Sequence, residues 1–248
     1  MKNILFSLLF SLSAFAQTNW ACDFDSALVF EFTTDISIAE TNQWSMEFWI
    51  QPRWADATQP GYFLHQTANA NDRVYTPSAG AVNFRPGAGT RSGQSHLTSA
   101  VSVGTWYHVA YVHQGDSVAT YVNGTRTARI LGTANLLADV MGWYNVSSRY
   151  FLNAYIDDFR VWSDARTDAE IAANYNIKLT GNEAGLLYYW TFDKTLESSA
   201  TANTLTFRWP VGAALNDSNF VAGAFDYPVT EFKKTKYRGF SVRSGYLK

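Results

Sequence analysis

The stretch from Trp106 to Leu131 limits what this chain can fold into more than any other feature of it. Trp106 to His113 alternates, with Trp106, His108, Ala110 and Val112 on one side and Tyr107, Val109 and Tyr111 on the other. A period of two is the mark of a strand. Gly115-Asp116 turns the chain, Ser117 to Val122 returns as a strand, and Asn123-Gly124 turns it again. Asn-Gly between alternating segments signals a tight hairpin, because both central residues of that turn need positive φ. Arg126 to Leu131 is the next strand, so three antiparallel strands run as a meander.

The rest of the chain agrees with an all-β class. Leu28, Phe30 and Phe32 alternate, as do Ile36 and Ile38, with Thr33-Thr34-Asp35 between them. Trp44, Met46, Phe48 and Ile50 share one face of a strand, with Ser45, Glu47 and Trp49 opposite. Pro52 ends it, since proline has no amide to give a central ladder. Residues 55–100 are rich in Ala, Gly, Asn, Thr and Ser and read as loops around two short strands, Tyr62 to His65 and Val82 to Phe84. One helix is expected: Thr167 caps it and Glu170, three residues on, reaches back in a capping box. Ile171, Ala172 and Tyr175 follow at helical spacing, for about two turns. Leu186 to Phe192 is a further apolar strand. Many short strands, regular turns and one small helix, with no solenoid or propeller repeat, predict a β-sandwich.

Lys2, the apolar run Ile4 to Phe15 and the small-x-small Ala14-Phe15-Ala16 are ordered as in a secretory signal peptide over residues 1–16. Export to the cell surface or the medium is expected. The run is too short for a membrane helix, and no later stretch reaches the ~20 apolar residues of one. Cys22 is the single cysteine, so no intramolecular disulfide can form and the core must hold the domain. A net charge of −2 gives no reason to expect nucleic acid as a partner. The sandwich is expected to span residues 17–228. From Val229 to Lys248 the chain carries Lys233, Lys234, Lys236, Arg238, Arg243 and Lys248 against one acid, Glu231. That basic, aromatic tail reads either as a last strand with a solvated end or as a segment that docks on an acidic surface.

Five stretches, in this order, resemble the bacterial LamG-like jelly-roll family, related to concanavalin A-like lectins and pentraxins. They are Ala27-Leu28-x-Phe30 with Asp35-x-Ser37-Ile38; Trp44 to Pro52; Trp106-Tyr107-His108-Val109-Ala110 through Tyr121-Val122-Asn123-Gly124; Ile156 to Trp162 with the Thr167 helix; and Gly185 to Asp193. The resemblance covers residues 27 to about 193. It implies a concanavalin A-like sandwich with one short helix, and a structural calcium ion between the opening strand and an aspartate of the closing strand. Asp157 is the first candidate ligand and Glu31 the second. Calcium takes six to eight oxygen ligands. The alternative for Asp157 is to accept hydrogen bonds from loop amides without metal. The chain departs from the family at Phe30-Glu31-Phe32, where Phe-Asp-Gly is usual.

No array of acids at even spacing along a strand matches the retaining glycosidases of related sandwiches, and no Gly-x-Ser-x-Gly elbow is present. Asp157 and Asp158 are adjacent, so a regular strand would point them to opposite faces. Nine Trp, fourteen Tyr and seventeen Phe suit both a sheet core and sugar stacking. Trp44, Trp49, Trp106, Trp162 and Trp190 fall in strands and are assigned mostly to the core. Gly142-Trp143-Tyr144-Asn145 falls in a turn before the closing strand, and Trp54 and Tyr62 flank a loop with Pro60-Gly61. Trp143, Tyr144, Asn145, Trp54 and Tyr62 are the candidate ligand-binding residues, the alternative for each being burial beneath its loop. The expected function is a non-catalytic recognition module for carbohydrate. The rival is an accessory subunit that docks on a larger cell-surface or outer-membrane assembly through its edges and basic tail.

Overall fold

The computed structural model describes residues 19–24, 28–53, 61–76, 81–86, 96–97, 101–143, 151–209 and 216–224. The segment 1–16, the tail 229–248, Trp54, Tyr144 and Asn145 lie outside the described residues.

Fifteen strands are present among them: β1 (Trp20–Phe24), β2 (Val29–Ile38), β3 (Trp44–Pro52), β4 (Gly61–Gln66), β5 (Asn69–Thr76), β6 (Asn83–Arg85), β7 (His96–Leu97), β8 (Tyr107–Gln114), β9 (Ser117–Val122), β10 (Thr125–Leu131), β11 (Leu136–Met141), β12 (Ala154–Trp162), β13 (Leu186–Trp190), β14 (Leu205–Trp209) and β15 (Phe220–Ala222). One α-helix, α1 (Asp168–Asn174), and a single 3-10 turn at Asp217–Asn219 complete the set. One sheet runs β10-β9-β8-β3-β12-β1-β15, with β13 also paired to β12; the other runs β14-β2-β11-β4-β5-β6-β7. The pairings among these strands are all antiparallel.

The meander read from the sequence is β8-β9-β10, joined at Asn123 (φ 49) and Gly124 (φ 77) by the positive-φ turn its residues predict. Trp44, Met46, Phe48 and Ile50 of β3 face the interior, where they meet Phe30, Phe32 and Ile36 of β2 and Phe63 of β4. Phe48 lies 4.6 Å from Phe63 between ring centroids, and Phe159 stacks on Trp190 at 5.3 Å, so aromatic pairs fill the space between the sheets. Thr33-Thr34-Asp35 does not break β2, which runs unbroken because β11 and β14 pair along its two sides. Residues 205–209 and 220–222 extend opposite sheets, so these two strands belong to the sandwich.

The capping box forms as read, with Thr167 Oγ1 accepting from the Glu170 amide at 3.2 Å and Glu170 accepting from the Thr167 amide at 2.9 Å. Helix α1 then lies on the outer face of the first sheet, where Ile171 packs on Ala110, Val112, Ala119 and Tyr121. The carbonyls that a helix end leaves unpaired are met from the sheet. Arg160 donates to the Asn174 and Ile177 carbonyls (3.1 and 2.6 Å), and Trp49 Nε1 to that of Tyr175 (2.8 Å). This helix hides part of a face that alternation alone marks as solvent-facing.

Candidate functional site

Beneath the helix is a dense, buried polar cluster. Glu47, His108, Asp158 and Arg160 are each no more than 1% exposed. His108 Nε2 lies 3.0 Å from Glu47 Oε2, and Trp162 Nε1 donates to Glu47 Oε1 at 2.9 Å. Arg160 spans the two carboxylates, 3.6 Å from Glu47 Oε1 and 3.6 Å from Asp158 Oδ2, while Tyr189 donates to Asp158 Oδ1 at 2.5 Å. Burial alone would raise the Glu47 pKa. The His108 hydrogen bond and the Arg160 charge outweigh it and hold the group at about 2. Burial lowers the His108 pKa, so the imidazole is neutral at neutral pH. An ionised, fully covered carboxylate clamped by arginine has neither the raised pKa of a general acid nor access to a glycosidic bond. The cluster fastens helix to sheet.

Asp157 and Asp158 do not sit in a regular strand. The register of β12 on β3 shifts between Asp157 and Arg160, and Asp158 has φ 47. This bulge leaves the two carboxylates close enough that the Asp158 charge, after burial, raises the Asp157 pKa. Asp157 accepts from the Asp158 amide (2.8 Å), Asn19 Nδ2 (3.2 Å) and the Ala224 amide (2.9 Å). Glu31 lies in the other sheet, paired with Arg208 at 2.7 Å. Asp157 and Glu31 thus lie on strands of different sheets, and among the described residues no group of three or more His, Cys, Asp or Glu side chains is placed to hold a metal ion.

The surface best suited to a ligand is one end of the sandwich. There β3 ends at Pro52, β1 ends at Phe24 and β12 begins at Ala154, all in register, while β8 begins opposite Ile50. The Arg53 amide donates to the Asn153 carbonyl at 3.1 Å and extends the ladder by one step. Its guanidinium lies 4.7 Å from the Tyr155 ring centroid, donates to Asp23 Oδ1 at 2.7 Å and to Asn153 Oδ1 at 3.2 Å. The Trp106 ring is 6.3 Å from Tyr155, inclined by 35°. Trp106, Tyr155, Arg53, Asp23, Gln51 and Asn153 are all half-buried, so each keeps a solvent-facing part. Two aromatic faces ringed by fixed donors and acceptors form a patch that can stack on an apolar ring face while orienting its hydroxyls.

Trp143 stands at the same end on the other sheet. It bridges to Phe151, stacks on that ring at 6.3 Å and is covered by Arg208 at 5.5 Å, which leaves it half-buried. Tyr62 is 5% exposed, stacked on Tyr75 at 5.2 Å with Arg73 over both rings, and presents little surface. Trp44, Trp49, Trp162 and Trp190 are buried as assigned, but Trp106 precedes β8 and is not core. Reading Trp106 as a strand residue hid it. Tyr155 was not singled out from the sequence, since its partner Arg53 lies about a hundred residues earlier in the chain.

The family model described as the concanavalin A-like lectin/glucanases superfamily matches residues 29–172, more than half of the chain. The chain belongs to the concanavalin A-like lectin/glucanase superfamily. Among solved structures of this sandwich type, a candidate carbohydrate-binding protein from Bacteroides ovatus superposes with a TM-score of 0.58 at 17% identity, over 78% of this chain and 59% of that one. This chain thus spans less than two thirds of that protein's length. The heptameric SAP-like pentraxin of Limulus polyphemus matches at a TM-score of 0.46 and 17% identity, over 64% of this chain and 82% of that one. No curated protein sequence matches. The fold is accordingly a concanavalin A-like β-sandwich jelly roll with one short helix, and none of the described helices is long and apolar enough to cross a membrane.

Proposed function

We propose that this protein is an exported, non-catalytic recognition module that binds carbohydrate at the end of the sandwich formed by Arg53, Trp106 and Tyr155. The observation that carries the reading is the Trp106–Tyr155 pair with Arg53 packed over Tyr155, set among Asp23, Gln51 and Asn153. Membership of a lectin-containing superfamily and the carbohydrate-binding description of the Bacteroides ovatus protein support the choice of ligand class. Trp143 is a second platform at the same end. Export rests on the signal-like order of residues 1–16.

The test is a glycan array with the mature protein, followed by calorimetry of the hits on Trp106→Ala, Tyr155→Ala and Trp143→Ala. Loss of a stacking ring should weaken binding by about tenfold, the value of ~1.4 kcal/mol of contact. Thermal melts of each variant separate lost contact from lost fold. An array blank for both neutral and acidic glycans sinks the reading.

A further inference from the structure

A cleft, built differently from the aromatic patch, lies at the far end of the helix-bearing sheet. It encloses about 190 Å³ between β8, β9, β10 and the segment Arg166-Thr167-Asp168 that leads into α1. That is below the roughly 300–1,000 Å³ of pockets for drug-sized ligands and suits one ring with a substituent. Val112 and Ala119 are apolar parts of the lining, and Tyr121 stands beside them. Around them are three guanidinium groups, those of Arg126, Arg129 and Arg166, with the hydroxyls of Ser117 and Thr167.

Two features show that the arginines are placed there by the fold. Arg126 and Arg129 are three apart, so a regular strand would send them to opposite faces. The register of β10 on β9 slips between Arg126 and Ala128, so that Arg126 lies opposite Tyr121 and Arg129 opposite Ala119. Tyr121 and Ala119 are two apart and share the outer face, and the bulge at Thr127 brings both arginines to it. The groups are also fixed in place. Arg129 Nε donates to Ser117 Oγ at 2.8 Å, and the buried Ser117 donates to the Gln114 carbonyl at 3.2 Å. Arg166 lies 4.3 Å from the Trp162 ring centroid.

The charge balance points to the ligand. Arg126 is paired with Asp168 at 3.3 Å, and Arg166 with Glu170 at 3.0 Å and Asp164 at 3.5 Å. Arg129 has no acidic partner among the described residues, and its two terminal nitrogens are left beyond the Ser117 contact. A planar fork of donors of this kind matches an oxyanion. Asp168, which also accepts from the Tyr121 hydroxyl at 2.7 Å, offers an acceptor beside it.

We infer that this cleft binds the acidic group of a negatively charged sugar, a carboxylate or sulfate on one ring. Arg129 is its primary contact and Arg126 its second, and the ring lies in the cleft that they rim with Thr167. The site is independent of the aromatic end, and the inference rests on the carbohydrate reading only for the class of ring.

The test titrates the full mature chain with D-glucuronate, glucose 6-sulfate, D-glucose, sodium acetate and sodium sulfate, followed by calorimetry and by saturation-transfer NMR. Both acidic sugars should bind at least about tenfold more tightly than glucose, as charge-assisted hydrogen bonds predict. They should also bind more tightly than the free anions, and weaken as salt is raised. R129Q and R126Q should each weaken them by about tenfold. Arg129 is on an exposed edge strand, and a circular dichroism melt confirms that R129Q is folded. Equal affinity for glucose and glucuronate, no binding of either acidic sugar, acetate or sulfate binding as well as the sugars, or an unaffected R129Q would each overturn the inference. Array hits that depend on Trp106 but not on Arg129 would leave the aromatic end standing and remove this cleft alone.

Discussion

Arg160 is fully buried and joins two carboxylates to two carbonyls at and just beyond the helix end, so removing either carboxylate strands the guanidinium charge away from water. Glu47 is the group through which this dependence can be titrated. Its pKa falls from an ordinary 4.5 to about 2 in the folded protein. The sign follows directly: the stabilisation is complete above pH 4.5 or so and is lost as pH falls towards 2. It amounts to about 3 kcal/mol by linkage. His108, kept neutral by burial, adds acid sensitivity of the same sign below its ordinary 6.5. Asp157, whose pKa is raised by burial and by Asp158, acts in the opposite direction. Glu47→Gln should therefore be less stable than the parent at pH 7, by roughly 3–5 kcal/mol for an opened buried pair, and the gap should narrow as pH drops from 5 to 3. Urea melts across that range decide it; a gap independent of pH would show that the ion pair contributes nothing. Glu47 was readable as an outward residue of β3. Its burial was not, since nothing near it in sequence reports a helix that arrives more than a hundred residues later.

Among elements, the hairpin turns separate local from tertiary constraint. Gly115 has φ +61 and a Cβ there would meet nothing within 4 Å. Gly124 has φ +77 and its Cβ would fall 2.7 Å from the Tyr175 ring and 3.3 Å from the Ala172 Cα. Tyr175 is itself stacked on Trp49, 6.0 Å between centroids. Gly115→Ala should cost only the left-handed conformation, about 1 kcal/mol. Gly124→Ala should add a clash with the helix and cost about 2–3 kcal/mol. Chemical denaturation of the two variants side by side measures the difference, and equal losses would mean that the helix does not bear on the turn. The turn type was legible from Asn123-Gly124 and the cap from Thr167 and Glu170, because both are set by neighbours within a few residues. The bulges at Thr127 and Asp158 were not. Each changes which face the following side chains take, and each depends on how the partner strand is gripped.

At the scale of the whole molecule, the first and last of the described strands close one sheet of the sandwich. β1 lies between β12 and β15, and Asp157 ties them by accepting from Asn19 and from the Ala224 amide. Gly223 makes the approach feasible, since a Cβ there would stand 2.2 Å from Asn19 Nδ2 and 2.6 Å from Asp157 Oδ2. Gly223→Ala should lower stability by about 1–3 kcal/mol through overpacking, read as a drop in Tm of a few degrees. An unchanged Tm would show that the closure is not tight. Neither β1 nor β15 has a pattern strong enough to be read alone. β1 follows directly on a signal-like segment, and β15 is three residues long.

The sequence by itself determined the class of fold: alternation on β3, β8 and β9, the Asn123-Gly124 turn and the Thr167 cap act over a few residues, and that is the range over which strand parity and helix entry are fixed. It also determined that most strand tryptophans are core. Only the tertiary structure decided that Glu47, His108 and Arg160 form a covered network, that Trp106 and Tyr155 meet under Arg53, and that Arg126 and Arg129 share a cleft. Parity names a face without saying what will cover it, and a single bulged residue reverses the parity. Both outcomes are settled by contacts between segments far apart in the chain.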